Sequence, residues 1–212
     1  EFRNKYKIDD DEIAISIIGR IVPVKNHELF LKAIKNVKDK TSKKIRAFVV
    51  GDGEDRQKIE NFAISIGLDI CDWLQSEKIA TVTFTSWIKD VEKVTAGSDI
   101  IAMTSLNEGT PVSLIEAQAA GKPIVTTNVG GIENITIPNV TALLSERHDI
   151  ETLSQNLLKL VEDNSLRCEM SKNGWGYVKE KYHYTRLTKD IENLYSSLLT
   201  KHSNKRFALA KK

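Results

Sequence analysis

The sequence predicts an α/β domain in which a parallel sheet carries helices on both faces, a doubly wound arrangement. Short runs of strand-forming residues alternate with amphipathic helical stretches from Ile13 onward. Glycines close several of these runs, such as Gly19 after the first strand and Gly67 after the second helix. This alternation indicates parallel strands joined by crossover helices, and ligands of such folds bind outside the carboxyl ends of the strands.

Each element follows from its local pattern, in chain order. The β-rich runs predict strands at residues 13–18, 46–50, 81–84, 99–103, 123–126 and 142–144. The first helix repeats apolar residues at helical spacing, from Leu29 and Phe30 to Val37. Helices are predicted at residues 28–38, 55–66, 90–96, 112–120, 149–163, 165–181 and 185–200. Residues 69–78 are predicted to be a small insertion between a helix and a strand.

Composition and charge exclude several classes of protein. The 212 residues, 41% of them apolar and 28% charged, suit one globular domain. A formal net charge of +2 argues against a dedicated nucleic-acid-binding protein. Cys71 and Cys168 give neither a disulfide framework nor a metal-ligand spacing, which favours a reducing, cytoplasmic location. No apolar run approaches the roughly 20 residues of a membrane-spanning helix.

The histidines do not suggest a metal or catalytic centre. They are scattered, and none stands at ligand spacing from another histidine or from a cysteine. We therefore expect surface positions for His27, His148, His183 and His202, and no metal site.

The segment from Asn107 to Ala117 is the most informative about function. Its two glutamates, Glu108 and Glu116, flank a Gly-Thr-Pro sequence that predicts a loop tip followed by a helix start. Thr110 is predicted to cap that helix, with Pro111 at its first position. A helix start presents free N–H groups and a positive dipole end to a phosphate, while the two carboxylates accept sugar hydroxyls. The pattern suits a nucleotide sugar, although an ordinary capped helix with two solvated glutamates has the same sequence features.

Two cations after the first strand fit the same interpretation. Transfer from a nucleotide sugar leaves a diphosphate, and without a metal its charge must be stabilised by cationic side chains. Arg20 and Lys25 lie on the loop that follows Gly19. The alternative is two ordinary surface cations among the 31 lysines and arginines of the chain.

The wider pattern resembles a known family. Glu-Gly-x-Pro-x4-Glu-Ala-x-Ala-x-Gly-x-Pro-Ile-Val-x-Thr, followed by Val129-Gly130-Gly131, is similar to the donor-binding domain of GT-B glycosyltransferases, in the large retaining family numbered four. The resemblance covers roughly residues 13–199. It implies a Rossmann-like domain that forms the C-terminal half of a GT-B fold.

The resemblance also implies roles for individual residues. Arg20 and Lys25, after Gly19, would bind the diphosphate; Glu108 would contact the donor sugar and Glu116 the ribose. The candidate phosphate donors are the backbone amides of Gly109, Thr110, Val112 and Ser113, while Pro111 has no N–H to donate. The backbone at about Trp87 and Ile88 would hold the base, although Trp87 could instead be a core or an exposed edge residue. The loop with Gly51 and Gly53 would lie beside the nucleotide, although a tight turn alone also explains these glycines.

Some positions depart from the family pattern. The family often has glycine where Asn26 stands, and usually glycine where Ser86 stands. The loop after Gly130-Gly131 also differs, because Glu133 replaces a proline and Asn134 a common glutamate.

The predicted function is transfer of a sugar from a UDP- or GDP-sugar to a glycan or lipid-linked acceptor, with retention and without a metal or other cofactor, in polysaccharide or glycolipid biosynthesis. Residues 1–12 are expected to be a linker from an acceptor domain absent from this chain, 13–200 the donor domain, and 201–212 a basic, disordered tail. The fragment alone is expected to be inactive. A catalytically silent binding or scaffold module and a nucleotide-sugar epimerase stay open as alternatives.

Two surface features carry further expectations. The last predicted helix is expected to reach the missing domain and to expose an apolar face here through Leu187, Ile191, Leu194 and Leu198. The basic tail is expected to be solvated, and weak peripheral contact with anionic lipid at the inner face of the membrane stays open as an alternative.

Overall fold

The computed structural model describes the chain from residue 1 to residue 209, and its side chains as far as residue 200. A seven-stranded sheet has the order β3-β4-β2-β1-β5-β6-β7, and its six neighbouring strand pairs are all parallel. The strands are β1 (Ile13–Ile18), β2 (Ile45–Val50), β3 (Ile70–Asp72), β4 (Val82–Ser86), β5 (Ile100–Met103), β6 (Ile124–Thr127) and β7 (Ala142–Ser145). The predicted doubly wound parallel sheet is confirmed.

Helices connect the strands. They are α1 (Phe2–Lys5), α2 (His27–Lys40), α3 (Arg56–Ser65), α4 (Val91–Gly97), α5 (Val112–Ala119), α6 (Ile132–Ile135), α7 (Ile150–Glu162), α8 (Asn164–Tyr182) and α9 (Tyr184–Leu209), with a 3-10 turn at Pro23–Lys25. None of the helices in the described part of the chain combines the length and the apolar character that a membrane crossing requires.

The main core lies between the central strands and the helices α2 and α7. The predicted apolar stripe of α2 is confirmed, because Phe30, Ile34 and Val37 are fully buried against side chains of β1 and β2. Leu153 and Leu157 of α7 join the same cluster. The strand β1 and its two neighbours, β2 and β5, lie in the middle of the sheet. The loops that follow these three strands are therefore held on a rigid base.

One strand was not predicted. β3 lies within residues 69–78, which were expected to be an insertion, and it pairs with β4 from Ile70 to Asp72. The strand has only three residues, and Cys71 alone among them is fully buried. So short a run has no periodicity from which a strand could be predicted.

The first twelve residues were predicted to be a linker, but they are folded onto the sheet. Phe2 and Tyr6 are buried beside Phe48, with ring centroids 5.1 and 5.5 Å from it, and Tyr6 also packs against Trp73. This second core cluster is therefore completed by the amino-terminal segment. A connection from this segment to a preceding domain stays a prediction.

The chain divides into two compact units, residues 1–175 and residues 176–212. In the second unit, Leu187, Ile191, Leu194 and Leu198 are all exposed, as predicted. A contact of this face with another domain stays a prediction. The backbone of α9 is helical as far as Leu209, so the segment expected to be disordered begins as a continuation of this helix. Residues 210–212 lie outside the described residues.

Candidate functional site

The candidate site lies where the strand order reverses, between β1 and β5. Because all strands are parallel, the loops after β1, β2, β4, β5 and β6 emerge at one edge of the sheet, which we call the carboxyl edge. A crevice between such loops at the reversal point is the usual ligand site of doubly wound sheets. The candidate residues from Gly19 to Glu116 lie on these loops or on α5, which begins at this edge.

The β1 and β5 loops are joined mainly through backbone carbonyls. The Thr104 hydroxyl donates to the carbonyl oxygens of Lys25 and Asn26, each at 3.0 Å, and the Leu106 amide donates to Val24. Asn26 has a φ of 49°, in the left-handed region. This conformation explains why glycine is frequent at this position in the family, and asparagine adopts it more readily than most residues.

Lys25 and Glu108 form a partly buried ion pair across these loops. The distance from Lys25 Nζ to Glu108 Oε1 is 2.5 Å, and the Ser105 hydroxyl lies 2.6 Å from the same oxygen. The Glu108 side chain is only 11% exposed. Glu108 is therefore not the solvated glutamate that the alternative interpretation required, and Ser105, which was not predicted, fixes its carboxylate.

The Glu108 loop rests on the glycines after β6. The Gly131 amide donates to the Glu108 carbonyl at 3.1 Å. A β-carbon on Gly130, where φ is +54°, would lie 1.8 Å from the Glu108 carbonyl oxygen, and one on Gly131 would lie 2.0 Å from that of Gly109. Only glycines allow the two backbones to approach this closely.

The helix α5 starts at the predicted residue, but its predicted cap does not form. The helix begins at Val112, and Pro111 is the N-cap residue with no side-chain cap, so neither the predicted cap at Thr110 nor the predicted helical position of Pro111 is correct. Pro111 is buried, whereas Gly109 and Thr110 are exposed. The Leu114 amide donates to the Pro111 carbonyl, whereas the amides of Val112 and Ser113 have no acceptor among the described residues and are available to an anion. Glu116 is exposed in the second turn.

The β2 loop packs on the β1 loop through glycines. A β-carbon on Gly51 would lie 2.0 Å from the Gly19 carbonyl oxygen, and one on Gly53 would lie 2.2 Å from that of Ile21. The Ile21 amide also donates to the Asp52 carbonyl. The close approach that these glycines permit is thus between two loops, and a role of Gly51 and Gly53 beside a nucleotide stays a prediction.

The β4 loop presents Trp87 to solvent, with 61% of the residue exposed. Ile88 is half-buried and packs against the second core cluster. The preceding Ser86 has a φ of 59°, which accounts for the usual glycine at this position in the family.

The two cations of the β1 loop have different environments. Arg20 is exposed, and its guanidinium makes neither a hydrogen bond nor an ion pair with the part of the chain that the structure describes. Lys25 is held by Glu108. Of these two cations, Arg20 is therefore free to meet a ligand, and Lys25 is already positioned.

Comparison with known proteins identifies the family of the chain. Residues 1–175 match the family described as glycosyl transferases group 1. The chain belongs to this family. Its relatives include the capsular polysaccharide biosynthesis glycosyltransferase CapM of Staphylococcus aureus, 24% identical over 200 residues, which are 94% of this chain and 50% of CapM. The chain spans about half the length of the curated relatives it matches.

Solved structures confirm the predicted GT-B type of fold. Anabaena HepE, in a crystal structure with UDP, superposes with a TM-score of 0.79 at 18% identity over 92% of this chain and 51% of HepE. The C-terminal domain of the group 1 protein LpcC from Francisella tularensis gives a TM-score of 0.70 at 22% identity, over 86% of this chain and 93% of that domain.

His27 is a feature of this group 1 chain that the sequence interpretation placed wrongly. Expected at the surface, it is buried as the first residue of α2, and both ring nitrogens lack a hydrogen-bond partner among the described residues. Burial, assisted by the charge of Lys25, lowers the pKa of His27 from 6.5 to about 4, so the ring is neutral at pH 7. The spacing of His27 from the buried Phe30, Leu31 and Ile34 is the signal that could have revealed its position.

No group of three or more histidine, cysteine, aspartate or glutamate side chains is arranged to hold a metal ion within the described part of the chain. A metal-independent reaction stays a prediction.

Proposed function

We propose that this chain binds the nucleotide-diphosphate sugar donor of a group 1 glycosyltransferase, and that the whole protein transfers the sugar in polysaccharide or glycolipid biosynthesis. The observation that carries the proposal is the Lys25–Glu108 ion pair. It joins the loop after β1 to the loop that leads from β5 into α5, at the point where the strand order reverses. The name of CapM, a capsular polysaccharide glycosyltransferase, supports the proposed pathway class. From the family resemblance, we propose a glycan or a lipid-linked molecule as the acceptor of the whole protein.

The diphosphate would meet three sources of positive potential. Arg20 supplies a free guanidinium, Lys25 a fixed ammonium, and the start of α5 supplies amides together with the helix dipole. As the bond to the sugar breaks, negative charge grows on the diphosphate, and preorganised cations stabilise it without reorganisation. We propose that these groups replace the metal ion that other nucleotide-sugar enzymes use.

Glu108 would orient the donor sugar. Its hydrogen bonds from Lys25 and Ser105 both reach Oε1, which leaves Oε2 to accept a sugar hydroxyl. Because the carboxylate is held from two sides, the sugar is positioned by a rigid group, and positioning lowers the entropic part of the barrier. The proposed retention of configuration rests on the family resemblance.

The nucleoside would extend toward the β2 and β4 loops. Glu116, exposed in the second turn of α5, is the proposed acceptor for ribose hydroxyls. The backbone of Trp87 and Ile88 is proposed to hold the base, with the Gly51–Gly53 loop beside it. The crystal structure of HepE with UDP supports UDP as the first nucleotide to test.

We expect the chain by itself to bind nucleotide but to transfer sugar poorly. It spans about half the length of its curated relatives, and we propose that the rest of the whole protein supplies the acceptor side of the site. Transfer by this chain at a rate ordinary for enzymes would contradict this part of the proposal.

Calorimetric titration with UDP, GDP and ADP tests the donor site. We expect one of the three nucleotides to bind selectively, and Glu116→Ala to weaken that binding by about tenfold, the effect of losing one hydrogen bond to a charged group. Glu169→Ala, which removes an exposed glutamate from α8, is the matched control and should leave the affinity unchanged. Absence of binding to all three nucleotides, or equal binding by Glu116→Ala, would contradict the proposal.

A further inference from the structure

The end of β4 has an irregular backbone. Val49 of β2 lies opposite Phe84, but the next residue, Val50, lies opposite Ser86, so Thr85 is an extra residue in β4. Such a bulge bends a strand and redirects the residues that follow. Ser86 then adopts a φ of 59°, a left-handed conformation that is unfavourable for serine. The direction in which Trp87 and Ile88 leave the sheet is set by these two residues.

Asp52 stabilises this irregular conformation from the neighbouring loop. Its Oδ2 accepts a hydrogen bond from the Ser86 hydroxyl at 2.7 Å, and its Oδ1 accepts from the Gly53 amide at 2.8 Å. The backbones are joined as well, because the Gly51 amide donates to the Ser86 carbonyl at 3.1 Å. One carboxylate therefore ties the loop after β2 to the loop after β4.

Arg56 holds the Asp52 carboxylate in place. The distance from Arg56 Nη1 to Asp52 Oδ2 is 3.1 Å, and the same guanidinium contacts Glu60 at 2.8 Å and Asp72 at 3.0 Å. Its central carbon lies 5.8 Å from the centre of the Phe84 ring. Residues from α3, β3 and β4 thus support the carboxylate. Partial burial raises the pKa of Asp52, but the hydrogen bonds from Ser86 and Gly53 and the charge of Arg56 outweigh it, and the pKa lies below its usual value.

We propose that Asp52 is a positioning residue for the nucleotide base, acting through Ser86 to fix the Trp87–Ile88 backbone in the conformation that receives the base. The inference rests on the proposed function and adds to it a residue that does not itself touch the ligand. The Ser86 hydroxyl makes the side-chain connection between the two loops. The base end of the site is therefore set by a side-chain contact that a glycine cannot make.

The chain offers a matched control near the opposite end of β4. Asp69 accepts hydrogen bonds from the Thr81 amide and hydroxyl and from Lys38, the same kinds of partner that Asp52 has. Asp69 immediately precedes β3, and Thr81 immediately precedes β4, so this cluster lies at the amino ends of the strands. A general loss of stability from removing such an aspartate should be shared by both sites, whereas an effect on the base should be confined to Asp52.

The test compares wild type, Asp52→Ala, Ser86→Ala, the double variant and Asp69→Ala. Each is titrated with UDP and with inorganic pyrophosphate, and hydrogen exchange is followed in the segment 84–89. We expect Asp52→Ala and Ser86→Ala each to weaken UDP binding by about tenfold, the double variant to be little worse than either, and pyrophosphate binding to stay unchanged. Exchange in residues 84–89 should rise in the same variants, and Asp69→Ala should leave both UDP binding and this exchange unaltered.

The outcomes separate the two proposals. If wild type binds UDP while Asp52→Ala and Ser86→Ala bind it equally well, the positioning role is overturned and the donor site stands. Equal weakening of UDP and pyrophosphate, or the same loss in Asp69→Ala, also overturns it, because the effect would then be general. If wild type binds none of UDP, GDP and ADP, the proposed function itself is overturned, and the inference built on it falls with it. If wild type binds GDP or ADP in place of UDP, that nucleotide takes the place of UDP in the same comparison. Ser86→Ala removes a single hydroxyl, so the test remains decisive even if Asp52→Ala fails to fold.

Discussion

The two edges of the sheet are held together in different ways. At the carboxyl edge, loops meet backbone to backbone, because Gly51, Gly53, Gly130 and Gly131 let main chains approach closer than any side chain would allow. At the other edge, where the strands begin, long side chains join the amino-terminal segment to the sheet. Ion pairs of this kind include Arg3–Asp99, Lys44–Asp11 and Arg46–Glu12. At the same edge, the Lys38–Asp69 pair joins α2 to the residue before β3.

This difference separates binding from stability. Loops joined through their backbones keep amides and side chains such as Arg20 available to a ligand. Charges paired at the amino edge are already satisfied, so they contribute to the free energy of unfolding and offer little to a ligand. Substitutions at the carboxyl edge should therefore change nucleotide binding, and substitutions at the amino edge should change stability alone.

The largest effect is expected from Gly130→Ala. At a φ of +54°, alanine costs about 1–2 kcal/mol, and overlap of its β-carbon with the Glu108 carbonyl costs about 1–3 kcal/mol more unless the loops separate. Separation would displace Glu108 and the start of α5. We expect UDP binding to fall by on the order of a hundredfold, measured by calorimetry.

Gly67→Ala is the matched control for this prediction. Its φ is +78°, so the backbone strain is similar, but the nearest atom to its β-carbon is the flexible end of Lys35 at 3.7 Å. It should lower stability without changing UDP affinity. If Gly67→Ala weakened binding as much as Gly130→Ala, strain alone would explain both, and the backbone contact would have no special role.

The second prediction concerns pH and His27. Its pKa is about 4 in the folded chain and about 6.5 when unfolded, so the unfolded state takes up the proton first as the pH falls. The contribution of the neutral His27 to the free energy of unfolding is therefore fully present above pH 6.5. It is lost as the pH falls toward 4, by about 3 kcal/mol at most. Urea unfolding between pH 8 and 4 should show this decline, and His27→Leu should remove it.

His183→Leu is the control, because this histidine is exposed and lies in the second compact unit. Its replacement should leave the pH dependence as in wild type. An acid decline that persisted unchanged in His27→Leu would show that other groups cause it.

The carboxyl edge was the part of the molecule that the sequence predicted best. Strand ends, glycine loops and the two glutamates are local patterns, so Ile13–Ile18 was predicted to the residue and α5 to within one residue at its end. The Lys25–Glu108 pair was not predicted as a pair, because it joins residues that are distant in the chain and meet only through the β1–β5 pairing.

The amino edge was predicted poorly for a related reason. Residues 1–12 are rich in charge and carry little periodicity, so a linker was the natural expectation. Phe2 and Tyr6 are buried because they pack against Phe48 and Trp73. These partners are distant in the chain, so no local sequence pattern predicts the contact. One error also concerns the carboxyl edge, where His27 begins α2 after the β1 loop. Its burial was missed because a single polar residue on an apolar helix face was judged by residue type and not by spacing.

The third prediction compares two lysines, one at each edge. Lys25→Met removes a cation from the proposed diphosphate site and leaves Glu108 without its ionic partner. We expect UDP binding to weaken by roughly thirtyfold, about 2 kcal/mol, while uridine, which lacks phosphates, binds as weakly as it does to wild type. Lys38→Met, which breaks the Lys38–Asp69 pair, should leave UDP binding unchanged. Equal losses in both variants would contradict the division between the edges.

The smallest effect is expected from Arg3→Ala at the amino edge. The guanidinium donates to the carbonyl oxygens of Asp9, Glu12 and Gly97 and pairs with Asp99 at 3.0 Å, so it fastens the first twelve residues to the start of β5. Its partial exposure reduces the value of the ion pair, and we expect a loss of about 1–2 kcal/mol in unfolding free energy, measured with urea, at unchanged UDP affinity. Arg186→Ala breaks an exposed pair within α9 and should change stability by less than about 0.5 kcal/mol. A change in UDP affinity in Arg3→Ala would mean that the amino-terminal segment communicates with the carboxyl edge through β1 and β5, and that the two edges are not independent.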